Sequence, residues 1–112
     1  MGFVTVTIDT AAIHDWSTFH DTFLKSFGFP EFYGRNMDAW IDCMTNLDDP
    51  ESGMTTVHAP SGGIVVLQLE DAADFMHRCP EQYAVVVECS AFVNWRRMER
   101  GEPPVLALSF RT

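Results

Sequence analysis

The amino-acid sequence predicts an α/β fold in which three parallel strands and four helices follow the order β-α-α-β-α-α-β. Short apolar segments near the beginning, middle and end of the chain indicate the strands. Between them lie stretches whose apolar residues recur at helical spacing. Helical crossovers between strands favour parallel pairing with right-handed connections. Because the chain has 112 residues, we expect one domain that spans residues 1–112.

The first strand and the first helix have clear boundaries in the sequence. Residues 3–8 alternate Val and Ile with Phe and Thr, a composition typical of a strand. A helix is expected after Asp15, a suitable N-cap residue, and is expected to end at Phe27. Gly28 suits the left-handed conformation that ends many helices, and Pro30 cannot continue the helix. The predicted apolar face of this helix consists of Trp16, Phe19, Phe23 and Phe27.

The second helix is predicted from Met37 to about Leu47. A tight turn at Gly34, which can adopt positive φ without steric cost, precedes an N-cap at Asn36. The predicted buried face consists of Met37, Trp40, Ile41, Met44 and Leu47. The predicted outer face consists of Asp38, Asp42, Thr45 and Asp49.

The middle of the chain combines a long loop with a buried strand. Residues 48–63 are rich in Pro, Ser and Gly, which indicates a loop, with a short extended piece possible over residues 54–58. Residues 64–69 form an apolar run suited to a buried strand. A helix to about Arg78 follows, and the acidic residues near its start favour the helix dipole.

The stretch from residue 81 to residue 100 allows two interpretations. Three consecutive valines favour a strand by propensity, whereas the apolar spacing and the basic residues near Gly101 favour a helix. We predict a helix, followed by a last strand over residues 105–110. The apolar face predicted for this helix consists of Ala84, Val87, Ala91, Trp95 and Met98.

The composition argues for a basic protein as the partner. The net charge is −9, and phosphate binding needs clustered Lys and Arg, so we expect neither nucleic acid nor a membrane as the partner. The N-terminal sequence lacks the features of a signal peptide, and three cysteines cannot all be paired. We therefore expect free, buried thiols and a cytoplasmic location.

The strongest local feature is the pair of aspartates, Asp38 and Asp42, on one exposed stripe of the second helix. Asp38 lies in the first turn, where negative charge favours the helix dipole by roughly 0.3–1 kcal/mol. Asp42 lies beyond that turn and repels Asp38, and no Lys or Arg stands at helical spacing to pair with it. A basic partner would convert this repulsion into attraction.

Catalytic patterns are weak in this sequence. His14 and His20 each precede an aspartate, which does not make a catalytic pair, and His20 is expected to be solvated. The sequence contains neither a zinc spacing nor a phosphate-binding glycine loop nor a nucleophile elbow. Adjacent exposed carboxylates such as Asp38 and Asp42 make an unlikely acid/base pair. We therefore expect a protein that is not an enzyme and needs no cofactor or metal.

Residues 30–39, Pro-Glu-Phe-Tyr-Gly-Arg-Asn-Met-Asp-Ala, resemble the loop and second-helix start of the barstar family of ribonuclease inhibitors. The family pattern is Pro-Glu-Tyr-Tyr-Gly-x-Asn-Leu-Asp-Ala, with a second Asp four residues further on, which here is Asp42. Fainter resemblance covers most of the chain in the order of its elements. It implies a barstar-like fold and an intracellular inhibitor, or immunity protein, of a basic ribonuclease.

The resemblance also implies a set of partner-binding residues. Asp42 matches the aspartate that blocks the active site of the nuclease, and Asp38 matches its neighbour. The two aromatic residues would form contact surface, or would divide between core and surface, and Gly34 and Asn36 would shape the loop. The implied partner is a basic ribonuclease of extracellular type, or another toxin, bound by a monomer. The implied binding set is Phe32, Tyr33, Gly34, Asn36, Asp38 and Asp42.

Several positions depart from the family pattern. Phe32 replaces a tyrosine, so the hydrogen bond of that hydroxyl is lost. The loop of about residues 48–63 is an insertion relative to the family, next to the acidic helix. Where the family has a Glu near the end of the fourth helix, this chain has Trp95, Arg96 and Arg97. The alternative function is therefore a barstar-fold binding module whose partner is not a nuclease.

Overall fold

The computed structural model describes residues 2–112 and confirms the predicted order of strands and helices. A 3-10 turn, Thr10–Ala12, follows the first strand, and another, Pro50–Ser52, follows the second helix. The strands are β1 (Phe3–Ile8), β2 (Ile64–Leu69) and β3 (Leu106–Phe110). The helices are α1 (Trp16–Phe27), α2 (Met37–Thr45), α3 (Ala72–Arg78) and α4 (Pro80–Glu99).

The three strands form one parallel sheet, as predicted, and lie in the order β1-β2-β3 with β2 in the centre. Residues 65, 67 and 69 of β2 are buried, whereas the alternate residues 64, 66 and 68 are only half-buried. The helices therefore cover one face of the sheet, because successive side chains of a strand point to opposite faces. The buried core beneath them contains Phe19, Phe23, Phe27, Trp40, Phe75 and Val93.

Side-chain caps define where the first two helices begin, as the sequence predicted. Asp15 accepts a hydrogen bond from the backbone N–H of Thr18, and the Thr18 side chain in turn accepts one from the backbone of Asp15. Gly28 ends α1 in the left-handed conformation, at φ 64°. The Asn36 side chain accepts a hydrogen bond from Ala39 N–H at 2.8 Å and so begins α2. Gly28 and Asn36 therefore mark the two ends of the segment that joins α1 to α2.

Two local predictions in the middle of the chain were wrong. Helix α2 ends at Thr45, and Thr45 is buried rather than exposed, because its hydroxyl donates to the carbonyl of Ile41 within the helix. Residues 54–58 form no strand. Their backbone is instead held by Thr56, whose N–H donates to Phe27 O at 2.9 Å, while Ala59 N–H donates to Leu47 O at 2.9 Å.

The predicted helix over residues 81–100 is confirmed as α4, but its predicted core face was wrong. The residues buried beneath α4 are Gln82, Val86, Ser90, Val93 and Arg97. Trp95 and Met98 are exposed instead, together with Phe92, whose ring lies 5.6 Å from that of Trp95. Apolar spacing selected the wrong face because it could not anticipate a buried arginine.

Arg97 is buried, with 1% of its side chain exposed. Its burial is tolerated because a carboxylate and two backbone carbonyls accept hydrogen bonds from its guanidinium. Its guanidinium binds both carboxylate oxygens of Asp48, at 2.9 and 2.8 Å. It also donates to the carbonyls of Thr45 and Pro103, each at 2.8 Å. Arg97 therefore joins the end of α2, the body of α4 and the segment that leads into β3. We call this group the Arg97 cluster.

None of the helices formed by residues 2–112 has both the length and the apolar character that crossing a lipid bilayer requires.

We expect Asp48→Ala to lower the free energy of unfolding by about 3 kcal/mol, because it leaves a buried guanidinium without its counter-charge. Glu99→Ala, at an exposed position of α4, should change it by less than about 0.5 kcal/mol. Urea denaturation of the two variants and the parent protein measures the difference. Equal stability of Asp48→Ala and Glu99→Ala would contradict the role given to the Arg97 cluster.

Candidate functional site

All six residues predicted to bind a partner lie around one surface cavity of about 340 Å³. The loop before α2 forms one side of this cavity, and the first turns of α2 form the other. Met54, from the long loop after α2, also lines it, so that loop contributes to the candidate surface. The complete lining is Pro30, Phe32, Tyr33, Gly34, Asn36, Asp38, Ala39, Asp42, Cys43 and Met54.

The acidic side chains stand on the outer face of α2. Asp38 lies in the first turn, and Asp42 lies one turn later on the same side. Both side chains are exposed, as the sequence predicted, while Trp40, Cys43 and Met44 hold the opposite face in the core. We call the pair Asp38 and Asp42 the acidic ridge. Its position is fixed by a buried helix face, so its carboxylates need little ordering when a partner binds.

The turn before α2 differs from the expectation for Gly34. The residue in the left-handed conformation is Arg35, at φ 54°, and not the glycine. Arg35 is held there by α1, because its guanidinium donates to Ser17 O at 2.9 Å and pairs with the Asp21 carboxylate at 2.9 Å. A Cβ on Gly34 would approach the Asn36 side-chain nitrogen to 3.3 Å, so the close packing of the cap favours glycine at this position.

No Lys or Arg stands at helical spacing from Asp42, but a basic partner reaches it from another helix. Arg96 of α4 donates to one oxygen of the Asp42 carboxylate at 3.0 Å. The pair is at the surface, and 54% of the Asp42 side chain remains exposed. Among residues 2–112, no cationic nitrogen lies within 4.0 Å of the Asp38 carboxylate. The acidic ridge therefore carries one free and one partly compensated carboxylate.

The comparison with known proteins identifies the family of the chain. Residues 3–109 match the family model described as "Barstar (barnase inhibitor)". The chain belongs to the barstar family. No curated protein matches the chain in a direct sequence search. The barstar family consists of inhibitors that bind ribonucleases, so a protein partner of that kind is supported.

The two aromatic residues of the barstar-like loop have different roles. Phe32 is 75% exposed and stands at the rim of the cavity, whereas Tyr33 is only 7% exposed and belongs to the core. The two residues therefore divide between core and surface, the second of the two alternatives, and Tyr33 offers little contact surface. Its ring packs on Phe29, with the ring centroids 4.7 Å apart, and so supports the loop from below.

The expectation that His20 is solvated was also wrong. His20 is buried in α1, and its Nδ1 forms a 2.6 Å hydrogen bond with the hydroxyl of Tyr33. Burial lowers the pKa of His20 below its ordinary value of 6.5, and the positive charge of Arg35 lowers it further, although Asp21 acts in the opposite direction. The helical spacing of His20 does not indicate this contact, because the partner, Tyr33, comes from the loop that follows α1.

The three cysteines are free thiols, and they differ in how deeply they are buried. Cys43 is buried in the wall of the cavity, and burial raises its pKa to about 11, so the thiol stays protonated at neutral pH. Cys79 is buried and Cys89 is half-buried. Within residues 2–112, no group of three or more His, Cys, Asp or Glu side chains is arranged to hold a metal ion.

Sequence reasoning missed Arg96, Ala39, Cys43 and Met54 as parts of this site. Ala39 and Cys43 lie four residues apart on α2, so their helical spacing could have placed them beside the acidic ridge. For Arg96 and Met54 the only signal was that they lie in segments that depart from the family pattern, which does not show what they contact. They arrive from α4 and from the long loop, and only the packing of these segments brings them to α2.

We expect Tyr33→Phe to lower the free energy of unfolding by about 1–2 kcal/mol, since it leaves a buried nitrogen of His20 without its partner. Phe32→Ala should change it by less than about 0.5 kcal/mol, because that ring is largely exposed. Thermal and urea denaturation of both variants measure this contrast. A destabilisation by Phe32→Ala as large as that by Tyr33→Phe would contradict the assigned orientations.

We expect the free energy of unfolding to fall as the pH decreases through about 6.5. The unfolded chain binds a proton at the ordinary pKa of His20, whereas the folded chain binds it only at lower pH, so acid favours unfolding. His20→Gln should reduce this pH dependence, and His77→Gln, at an exposed position, should retain it. Urea denaturation between about pH 5 and 8 measures the free energy of unfolding of each variant. If this free energy depends on pH in His20→Gln as it does in the parent protein, the role given to His20 is refuted.

Proposed function

We propose that this protein is a cytoplasmic immunity protein that inhibits a basic ribonuclease by covering its phosphate-binding active site. The observation that carries the proposal is the acidic ridge, which stands exposed on a firmly capped helix at the edge of a cavity. The proposal is consistent with the barstar family match over residues 3–109. The acidic ridge, the loop before α2 and the cavity would each contribute to the contact with the enzyme.

The acidic ridge would act as a substitute for the phosphates of RNA. An enzyme that cleaves RNA must present cationic groups to hold phosphate, and a carboxylate accepts the paired N–H groups of an arginine in the same way. Asp38 and Asp42 would occupy two neighbouring phosphate positions. The net charge of −9 would attract a basic enzyme over a longer range and so increase the rate of association.

The loop and the cavity would provide the apolar part of the contact. Phe32 projects from the loop at the rim of the cavity, where an exposed aromatic ring can become buried against a partner. Gly34 and Asn36 would hold the loop in shape, the first through its lack of a side chain and the second through its cap. Tyr33 would support this surface without forming part of it.

The same residues are poorly arranged for catalysis, and we propose that the protein is not an enzyme. The cavity lining contains no histidine, and its two carboxylates are exposed side chains on one helix. Effective acid/base catalysis needs groups whose pKa values are shifted towards neutral pH by their surroundings. The buried His20 and Tyr33 do not meet this need, because burial lowers the pKa of His20 and raises the pKa of Tyr33, and their hydrogen bond lies within the core.

A second candidate function is a binding module for a partner that is not a nuclease. The observation that favours it is the exposed cluster of Phe92, Trp95 and Met98 on α4, which a phosphate-mimicking ridge does not require. The two functions predict different results in one assay. An inhibitor suppresses RNA cleavage by guanyl-preferring ribonucleases, whereas a module of the second kind leaves cleavage unchanged and captures an unrelated protein.

We expect Asp42→Ala to weaken the complex with a barnase-type ribonuclease by at least about 2 kcal/mol, a range known from complexes that include barnase–barstar itself. The loss arises because the cationic group of the enzyme is desolvated without its partner. Isothermal titration calorimetry measures the affinity. Asp9→Asn, an exposed acid outside the cavity lining, serves as the control and should weaken binding by less than about 0.5 kcal/mol.

Unchanged affinity in Asp42→Ala would remove the acidic ridge from the interface. Equal losses in Asp42→Ala and Asp9→Asn would show that net charge, and not the position of the carboxylate, governs binding.

A further inference from the structure

The ion pair between Asp42 and Arg96 has a consequence for any basic partner of the acidic ridge. Arg96 extends from α4 and donates to Oδ1 of Asp42 at 3.0 Å. A carboxylate binds an incoming guanidinium best when both of its oxygens accept hydrogen bonds. A partner's arginine must therefore either share Oδ1 with Arg96 or displace Arg96 from it.

Both ways of binding Asp42 are unfavourable for a partner that offers only cations. If Arg96 stays in place, two positive groups lie on one carboxylate, and their repulsion strengthens as water is excluded from the interface. If Arg96 leaves, the ion pair is lost, and the displaced guanidinium still lies beside the cations of the partner. Arg96 therefore reduces the attraction that Asp42 exerts.

The other two arginines of this region do not have this effect. Arg97 is buried within the Arg97 cluster and is compensated by Asp48, so it presents no charge at the ridge. Arg100 is exposed one turn after Arg96 and forms no ion pair with the described carboxylates. Only Arg96 combines exposure with direct contact to the ridge.

We propose that Arg96 is a specificity-determining residue of the ridge, which competes within the chain for Asp42 and weakens binding of purely cationic surfaces. Arg96 favours a partner that carries a hydrogen-bond acceptor, such as a carboxylate, next to the cation that binds Asp42. The acceptor then receives hydrogen bonds from the remaining N–H groups of Arg96. This inference rests on the proposed use of the ridge as the partner-binding surface.

The test compares Arg96→Gln with Arg100→Gln, which removes the same charge one turn away. The first probe is barnase, titrated by calorimetry at low and at moderate ionic strength. The second probe is hexa-arginine amide, whose binding is followed through the backbone amide resonances of Asp38 and Asp42. Thermal denaturation verifies that both variants remain folded, as expected for changes at exposed side chains.

We expect Arg96→Gln to bind each probe about three- to tenfold more tightly than the parent protein, as expected for removing one surface ion pair and one repulsive charge. Arg100→Gln should gain less than about twofold, and the advantage of Arg96→Gln should shrink at the higher ionic strength. If Arg96→Gln binds hexa-arginine no more tightly than Arg100→Gln does, the inference is overturned.

The two probes separate this inference from the proposed function. If barnase binds none of the proteins while hexa-arginine distinguishes the two variants as expected, the competition at Asp42 is supported and inhibition of that enzyme is refuted. If barnase binds the parent protein and Arg96→Gln equally, and hexa-arginine also fails to distinguish Arg96→Gln from Arg100→Gln, inhibition stands and the role given to Arg96 is refuted.

Discussion

The Arg97 cluster is the interaction on which the arrangement of the site depends. A single guanidinium, bonded to Asp48 and to the carbonyls of Thr45 and Pro103, holds the end of α2 against α4 and against the approach to β3. The cost of burying a charge is high, and here four hydrogen bonds and the charge of Asp48 offset it. The direction of α2, and with it the acidic ridge, follows from this contact.

The rotation of α4 is a second result of the same cluster. Because Arg97 faces inward, Val93 four residues earlier and Val86 seven residues before that face inward with it. Arg96, the next residue back, is then directed towards α2 and meets Asp42. The exposed positions of Trp95 and Met98 have the same origin. One buried arginine thus accounts for the partial compensation of the ridge and for the apolar cluster beside it.

The surface around the cavity depends on a division between supporting and exposed side chains. Tyr33 and His20 are joined in the core, and Arg35 fastens the turn to α1, so that Phe32 is left at the rim. A loop supported in this way loses little conformational entropy on binding. This matters for an acidic ridge whose exposed ion pair contributes little by itself, because surface pairs gain strength only when a partner excludes water.

The sequence by itself determined the strands, the helices and the identity of the acidic ridge. Caps such as Asp15 and Asn36, the alternation in residues 3–8 and the apolar run in residues 64–69 are local signals that depend on residues near one another in the sequence. Only the tertiary structure decided which face of α4 is buried, that His20 and Tyr33 pair, and that Arg96 reaches Asp42. These are contacts between side chains distant in sequence, and their energies depend on burial and hydrogen-bond geometry, which apolar spacing does not encode.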